Sequence, residues 1–393
     1  MTARDDRLTE LRREIGEVDP QEARAASADG SAVLLDVREP EEVAQGSPAD
    51  ALRLGRSYLE LRIEDSVGNR EQPIHVICGG GSRSLFAADD LRRMGYHNVR
   101  SVAGGFNRWK NEGLPYEMPR VLDAAERARY ARQISLPEVG EAGQARLAQA
   151  RVLLIGAGGL GSPAALYLAA AGVGTLGIVD HDEVDRSNLQ RQILHTDARV
   201  GMAKTESARQ SIAALNPSVQ VETWQERLSS ANIERVFAGY DVIVDGSDNF
   251  PTRYLVNDAC VKLGLPNVHG AVFRFEGQTS VFWPAGPQGG PCYRCLYPEP
   301  PPPEQAPSCA EGGVMGVLPG LIGMIQALET LKIVLGIGET LAGRLLCVDG
   351  MESRFRELRV RRDPQCPLCA ADTFPGYIDY EQFCQTSSPA TAE

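Results

Sequence analysis

Between residues 151 and 192 the chain alternates in a way that few folds can accommodate. The apolar run 152–155, Val-Leu-Leu-Ile, is short enough for a buried parallel strand. Gly156, Gly158, Gly159 and Gly161 follow in the order Gly-Ala-Gly-Gly-Leu-Gly; a helix is predicted over 162–171, then a second strand over 175–179 that ends at Asp180. Such glycines let backbone amides and a helix N-terminus approach phosphate oxygens. An acid closing the second strand can accept from ribose hydroxyls. Alone, this is a nucleotide-binding signal, and most such loops serve dinucleotides. The run Ser187-Asn188-Leu189-Gln190-Arg191-Gln192 then sets an arginine and polar amides just beyond the ribose position, and Lys204 and Ser247-Asp248-Asn249 come later. Two cations and a carboxylate near a triphosphate suit chemistry on phosphate better than hydride transfer.

The 393 residues allow two or three domains and a sizeable core. A net charge of −12 argues against non-specific nucleic-acid binding. The charged N-terminus does not read as a signal peptide. The segment 314–337 is apolar enough to raise the membrane question, but Pro319, Gln326, Glu329 and Lys332 interrupt it, so a buried core helix is expected. Nine cysteines without an export signal point to a reducing cytoplasm, with thiols used for metal binding or reactivity rather than disulfides.

Two functional domains are expected. Residues 1–119 read as a small α/β unit, with strands over 32–36, 74–77 and 99–101 and a helix over 84–94. A linker over 121–128 leads into a second domain over 129–370, followed by a C-terminal tail, 371–393, that frays at its tip. The second domain continues with a helix over 204–216 and strands over 219–223, 241–244, 266–271 and 279–283. The proline-rich stretch 298–307 can join neither a helix nor a central strand.

The first unit carries its own chemistry. In Cys78-Gly79-Gly80-Gly81-Ser82-Arg83-Ser84 a cysteine stands between a strand and a helix. Three glycines let the loop amides curl around one point. Those amides, the helix dipole and Arg83 all favour an anion at the sulfur, either a thiolate or a terminal persulfide. This block, with Leu35-Asp36-Val37-Arg38-Glu39 before it and Gly104-Gly105-Phe106-Asn107-Arg108-Trp109 after it, resembles the rhodanese family of sulfurtransferases over about 33–116. The resemblance implies that Cys78 accepts sulfane sulfur and carries it as a persulfide. A phosphatase of similar fold would need a longer cysteine loop.

Cys292-Tyr-Arg-Cys295 and Cys366-Pro-Leu-Cys369 are two Cys-x-x-Cys pairs, suited to a closed tetrahedral zinc site. Their wide separation leaves an iron–sulfur cluster or a redox pair open. Together with Arg129-Tyr-Ala-Arg132-Gln133, the glycine loop, the 187–192 run and Ser247-Asp248-Asn249, they resemble the ubiquitin-activating-type (ThiF/MoeB) family over about 129–370. In particular they resemble the bacterial enzymes that adenylate sulfur carriers for molybdopterin and thiamine synthesis. The implied architecture is a rhodanese-like α/β domain followed by a Rossmann-like adenylating domain with structural Zn2+. The implied reaction is ATP-dependent adenylation of the C-terminal Gly-Gly carboxylate of a small ubiquitin-like protein.

The same resemblance assigns roles. Gly158 and Gly159 lie against the phosphates of ATP, and Asp180 holds the ribose. Asn188, Arg191 and Lys204 contact the phosphates, and Asp248 binds Mg2+. Arg132 reaches into a partner subunit's site, which implies a homodimer. Cys309, after the proline-rich loop, is a candidate relay to the carrier. Many relatives carry a rhodanese unit after the adenylating domain; here it comes first. Cys260, Cys347 and Cys384 read as structural, and His195 as support for the loop. Molybdopterin, thiamine, cysteine, tRNA-thiolation and siderophore pathways all use such carriers; the molybdopterin type fits best, and the sulfur donor to Cys78 is not named by the sequence. Two rival readings are an NAD-dependent oxidoreductase and a non-catalytic scaffold for a ubiquitin-like protein. The first leaves Arg191, Lys204, Asp248 and the cysteines without a role.

Overall fold

The computed structural model describes residues 2–118, 122–287, 289–301, 313–371 and 373–386. Cys309 and most of the proline-rich stretch lie outside them. The chain forms two compact units, Met1–Glu126 and Arg127–Glu393.

The first unit is built on a five-stranded parallel sheet: β1 (Glu17–Val18), β2 (Val33–Asp36), β3 (Leu52–Arg53), β4 (Ile74–Ile77) and β5 (Val99–Val102), in the order β1-β5-β4-β2-β3. β4 is buried along its whole length, as a central parallel strand must be. The helix Arg83–Arg93 buries Ser84, Leu85, Ala87, Ala88 and Leu91, an apolar stripe at helical spacing. An N-terminal helix, Ala3–Ile15, starts at a capping box in which Thr2 and Asp5 satisfy each other's backbone amides. The signal for it, Thr-x-x-Asp, lies in the first five residues.

The second unit carries an eight-stranded sheet. Its parallel part comprises β6 (Arg151–Ile155), β7 (Thr175–Val179), β8 (Gln220–Trp224), β9 (Val242–Asp245) and β10 (Asn267–Phe273), in the order β8-β7-β6-β9-β10. The strand order reverses between β6 and β9, and open α/β sheets bind ligands at such a switch point, beyond the strands' carboxyl ends. The antiparallel part adds β11 (Glu276–Phe282), β12 (Arg344–Asp349) and β13 (Arg354–Arg359). β10 and β11 form a tight hairpin through Arg274, whose φ is 53°. The sequence placed the second of these strands three residues late, because Glu276-Gly277-Gln278 has no strand-like pattern. β12 and β13 were not foreseen; every residue of β13, Arg-Phe-Arg-Glu-Leu-Arg, is exposed, so no alternation marks it.

The apolar segment 314–337 forms the helix Val317–Leu335, the one described helix long and apolar enough to cross a membrane. Its polar residues face the protein. Gln326 is fully buried and donates to the carbonyls of Asp245 (2.8 Å) and Val268 (2.9 Å). Glu329 accepts from the Leu341 amide at 2.7 Å. A polar side chain with built partners at sheet carbonyls belongs to a packed core helix. The opposite face leaves Val317, Met324 and Leu328 exposed.

Candidate active sites

At the switch point the chain leaves β6 through Gly156, in left-handed backbone (φ 92°), and enters the helix Gly161–Ala171. A Cβ on Gly161 would stand 1.9 Å from the Gly156 carbonyl oxygen, so only glycine closes this turn. Asp180 ties the turn to β7: its carboxylate accepts from the Ala157 amide (2.8 Å) and the Asp182 amide (2.9 Å). His195 is buried beneath, with Nε2 2.9 Å from the Ala157 carbonyl and Nδ1 2.9 Å from Ser207 Oγ. A carbonyl can only accept, so Nε2 carries the proton and Nδ1 accepts from Ser207. Burial holds His195 below the ordinary imidazole range, which keeps this neutral form. The loop-supporting part expected of His195 is what it plays.

Of the side chains expected around the phosphates, Arg191 is the one whose contacts bring it to this turn, and Gln192 lies beside it. A Cβ on Gly159 would meet Arg191 Cδ at 3.5 Å, and one on Gly158 would meet Gln192 Nε2 at 3.7 Å. Arg191 Nη1 has one long contact, 3.4 Å to the Ser187 carbonyl. Gln192 is buried, yet its Oε1 has no partner among the described residues. Asn188 is half-buried; its backbone carbonyl accepts from the amides of Arg191 and Gln192, which folds this run against the glycines. Lys204 is buried and its ammonium pairs with Asp182 at 2.8 Å. Against the penalty of partial burial, that ammonium holds the Asp182 carboxyl below its usual range.

Across the switch point, a Cβ on Gly156 would touch the Gly246 carbonyl at 3.3 Å, so the loop after β9 borders the same turn. The buried Asp245 accepts from Ser247 at both its amide (3.0 Å) and its hydroxyl (2.6 Å), and the Arg253 guanidinium donates to the Ser247 carbonyl. These contacts fix the backbone that carries Asp248, which is exposed. Asp245 and Arg253 carry no signal in the sequence reading: the strand expected over 241–244 stops one residue short of Asp245, where the observed strand ends. Arg132 lies on the short helix Ala131–Ile134, exposed, with no ion-pair partner among the described residues.

In the first unit, Cys78 closes β4 and is buried. Its Sγ accepts from the Gly81 amide at 3.1 Å and stands 3.3 Å from Ser84 Oγ. The loop carbonyls point the other way: Cys78 and Gly79 accept from the amides of Phe106 (2.7 Å) and Asn107 (3.0 Å), at the start of the helix Gly105–Asn111. A Cβ on Gly105 would lie 2.3 Å from the Cys78 carbonyl oxygen, which explains the glycine pair at 104–105. Arg83 does not donate to the sulfur. Its guanidinium is paired with Glu42 at 2.5 and 2.6 Å, and that hydrogen-bonded pair lowers the carboxyl's titration and raises the guanidinium's. Its expected contribution at Cys78 is therefore at most through space, with Glu42 offsetting its charge.

The two cysteine pairs, far apart in sequence, meet. Cys292 and Cys295 are 3.8 Å apart at sulfur, Cys292 and Cys366 3.6 Å, and Cys295 and Cys369 3.4 Å. All four sulfurs lie within 4.8 Å of one another. Tetrahedral zinc with Zn–S of about 2.3 Å requires sulfurs about 3.8 Å apart, so the donors present fit that ion. The hydrogen-bonded Cys295 and Cys369 beside it, and burial, push the Cys292 thiol far up; four thiolates this close together need a cation among them. Arg294, between Cys292 and Cys295 in the sequence, is bidentate to Asp258 (2.8 and 2.9 Å), and Tyr380 donates to the same carboxylate at 2.8 Å. Tyr380 begins the helix Tyr380–Thr386, so part of the expected tail packs on this unit; the tip, 387–393, lies outside the described residues.

Two family models match the chain: the ThiF family over residues 130–368 and the rhodanese-like domain over 19–112. The chain belongs to the ThiF family. Similar proteins include the probable adenylyltransferase/sulfurtransferase MoeZ of Mycobacterium tuberculosis, 53% identical over 269 residues, 68% of this chain and 67% of that protein. The sulfur carrier protein adenylyltransferase of Thermus thermophilus is 54% identical over 259 residues, 65% of this chain and 96% of that protein. The SAMP-activating enzyme E1 of Haloferax volcanii is 51% identical over 272 residues, 69% and 99% of the two chains. Among solved structures, Escherichia coli MccB with ATP shares the fold at 20% identity, with a TM-score of 0.54 over 63% of this ThiF-family chain and 75% of that one.

Proposed function

We propose that this enzyme adenylates the C-terminal Gly-Gly carboxylate of a small ubiquitin-like sulfur carrier, of the molybdopterin-synthase type, and converts it to a thiocarboxylate with sulfur carried by Cys78. The observation that carries the first half is the meeting of Arg191, Gln192 and the Asp248 loop at the one-glycine-wide turn of the sheet's switch point. The carrier's carboxylate attacks the α-phosphorus of ATP and pyrophosphate leaves. No protein base is required, because the nucleophile is already ionised. The chain's part is positioning and charge stabilisation: amides at Gly158 and Gly159 along the phosphates, Asp180 toward the ribose, and Arg191, Asn188 and Lys204 on the charge that develops. Asp248, exposed beside the turn, would hold Mg2+ with the phosphates, as one-carboxylate Mg2+ sites do. The four cysteines would hold structural Zn2+, which supplies folding energy rather than chemistry.

In the second half the terminal sulfur of the Cys78 persulfide attacks the activated carboxyl and AMP leaves. A second thiol, for which Cys309 is the candidate, then attacks Cys78 Sγ; the thiocarboxylate leaves with the electron pair, a Cys78–Cys309 disulfide forms, and an external dithiol reduces it before the next turnover. Joining both units in one chain raises the persulfide's effective concentration near the adenylate. Arg132, exposed and without an ion-pair partner among the described residues, is free to serve the site of a second copy, which supports reading the enzyme as a homodimer; a cytoplasmic location and an upstream sulfur donor complete the proposal. The names of the relatives, adenylyltransferase and sulfurtransferase, support the pairing of the two activities. The test is ATP–pyrophosphate exchange with and without a Gly-Gly-ended carrier. Exchange that appears only with the carrier supports the reading; ATP-independent turnover with absorbance changes of NADH refutes it.

A further inference from the structure

The hydroxyl nearest the sulfur has so far been given no part. Ser84 Oγ lies 3.3 Å from Cys78 Sγ and 2.8 Å from Ser101 Oγ, and both serines are fully buried. Ser84 stands in the first turn of the helix after the cysteine loop, and Ser101 on β5, where Val76, two residues before Cys78, is its register partner. The three side chains therefore form a closed line, Ser101–Ser84–Cys78, with no other side-chain partner for either hydroxyl among the described residues.

The direction of the protons along this line depends on the sulfur. With a thiolate, Ser101 donates to Ser84 and Ser84 donates to Sγ; the Gly81 amide donates as well, and every proton has an acceptor. A thiol either donates to Ser84, which reverses the line and leaves the Ser101 proton without a side-chain acceptor among the described residues, or accepts from Ser84 and leaves its own S–H proton unmet. A buried unmet donor is costly, and a hydrogen bond to an anion is stronger than one to a neutral sulfur. The line is therefore complete when Sγ is the acceptor of both the Ser84 hydroxyl and the Gly81 amide. We propose that Ser84 is a further catalytic residue of sulfur transfer, donating its hydroxyl hydrogen to Cys78 Sγ, and that Ser101 is the positioning residue that points it there.

This rests on the reading of Cys78 as the sulfur-accepting residue. With thiosulfate as donor, the Cys78 thiolate attacks the sulfane sulfur, the new S–S bond forms as the old one breaks, and sulfite leaves with the electron pair; no proton moves. Cyanide then takes the terminal sulfur as thiocyanate and returns the thiolate. The state Ser84 stabilises is the one that opens and closes this cycle.

The experiment is the pH profile of iodoacetamide alkylation of Cys78, followed on its own peptide by mass spectrometry in the full chain, alongside thiosulfate:cyanide transfer. Ser84→Ala is expected to move the alkylation midpoint up by about one pH unit. Transfer should fall below that midpoint and recover at high pH, with the high-pH alkylation plateau kept. Ser101→Ala is expected to shift the midpoint the same way by less, and Ser101→Thr to keep the parental value. A midpoint unchanged in both alanine variants overturns the proposal, and so does a changed plateau with an unmoved midpoint, which would make Ser84 a packing residue. Transfer surviving in Cys78→Ala would instead remove the reading of Cys78, whatever the Ser84 midpoint does.

Discussion

Truncating Arg191 separates catalysis from folding more cleanly than any other change at the glycine turn. Its side chain lies along Gly159, with Cδ 3.5 Å from where a Cβ would be, and its guanidinium has one 3.4 Å contact to a neutral carbonyl. Arg191→Ala thus removes about 0.5 kcal/mol of stability at most, and thermal melting should barely move. A positive charge about 4 Å from a phosphate oxygen, at an effective dielectric of about 20, contributes about 4 kcal/mol. Removing one such donor from a developing charge costs about 100- to 1,000-fold in rate. Lys204 cannot simply take over, since its ammonium is held by Asp182 at 2.8 Å. The assay is carrier-dependent ATP–pyrophosphate exchange under saturating ATP. Arg191→Lys should recover part of the loss, because it restores the charge without the planar fork. Exchange at the parental rate in Arg191→Ala would refute the reasoning.

Other outcomes are expected elsewhere in the chain. Cys78→Ala should abolish thiosulfate:cyanide transfer and leave carrier-dependent exchange unchanged, and transfer at the parental rate would mean that sulfur enters at another thiol. Metal analysis should find about one zinc per chain, and Cys366→Ser should lose it together with part of the thermal stability; iron, or a full zinc complement in the variant, would count against the four-thiolate site. Gly161→Ala sets a methyl 1.9 Å from a backbone oxygen that cannot retreat, so it should destabilise by about 1–3 kcal/mol and remove ATP-dependent exchange; a stable, active variant would mean that the turn is built otherwise.

The parts legible in the sequence were those whose chemistry is local. Gly156 to Asp180 spells a turn, a helix and a strand because each needs its residues in order, and the strand over 175–179 is found where it was expected. The cysteine pairs were legible as pairs, but only the fold could bring Cys292 within 3.6 Å of Cys366. What escaped depends on register or on distant partners. Ser101 reaches the Cys78 network because β4 and β5 pair with Val76 opposite Ser101, and nothing in Val99–Val102 announces that alignment. Glu42 neutralises Arg83 from 41 positions away. β13 has an exposed, arginine-rich pattern that reads as a loop. Gln326 and Glu329 marked the long apolar helix as a core element, and their buried hydrogen bonds, from Gln326 to sheet carbonyls and to Glu329 from the Leu341 amide, give the physical reason.

The central claim is tested most directly by incubating the enzyme, ATP and a thiosulfate or persulfide donor with a carrier ending in Gly-Gly, and weighing the carrier by mass spectrometry. The account predicts that one terminal oxygen is replaced by sulfur, that the replacement needs ATP, and that it disappears in Cys78→Ala while the acyl-adenylate still forms. A carrier whose mass is unchanged in the presence of every component, or whose sulfur arrives without ATP, would contradict it.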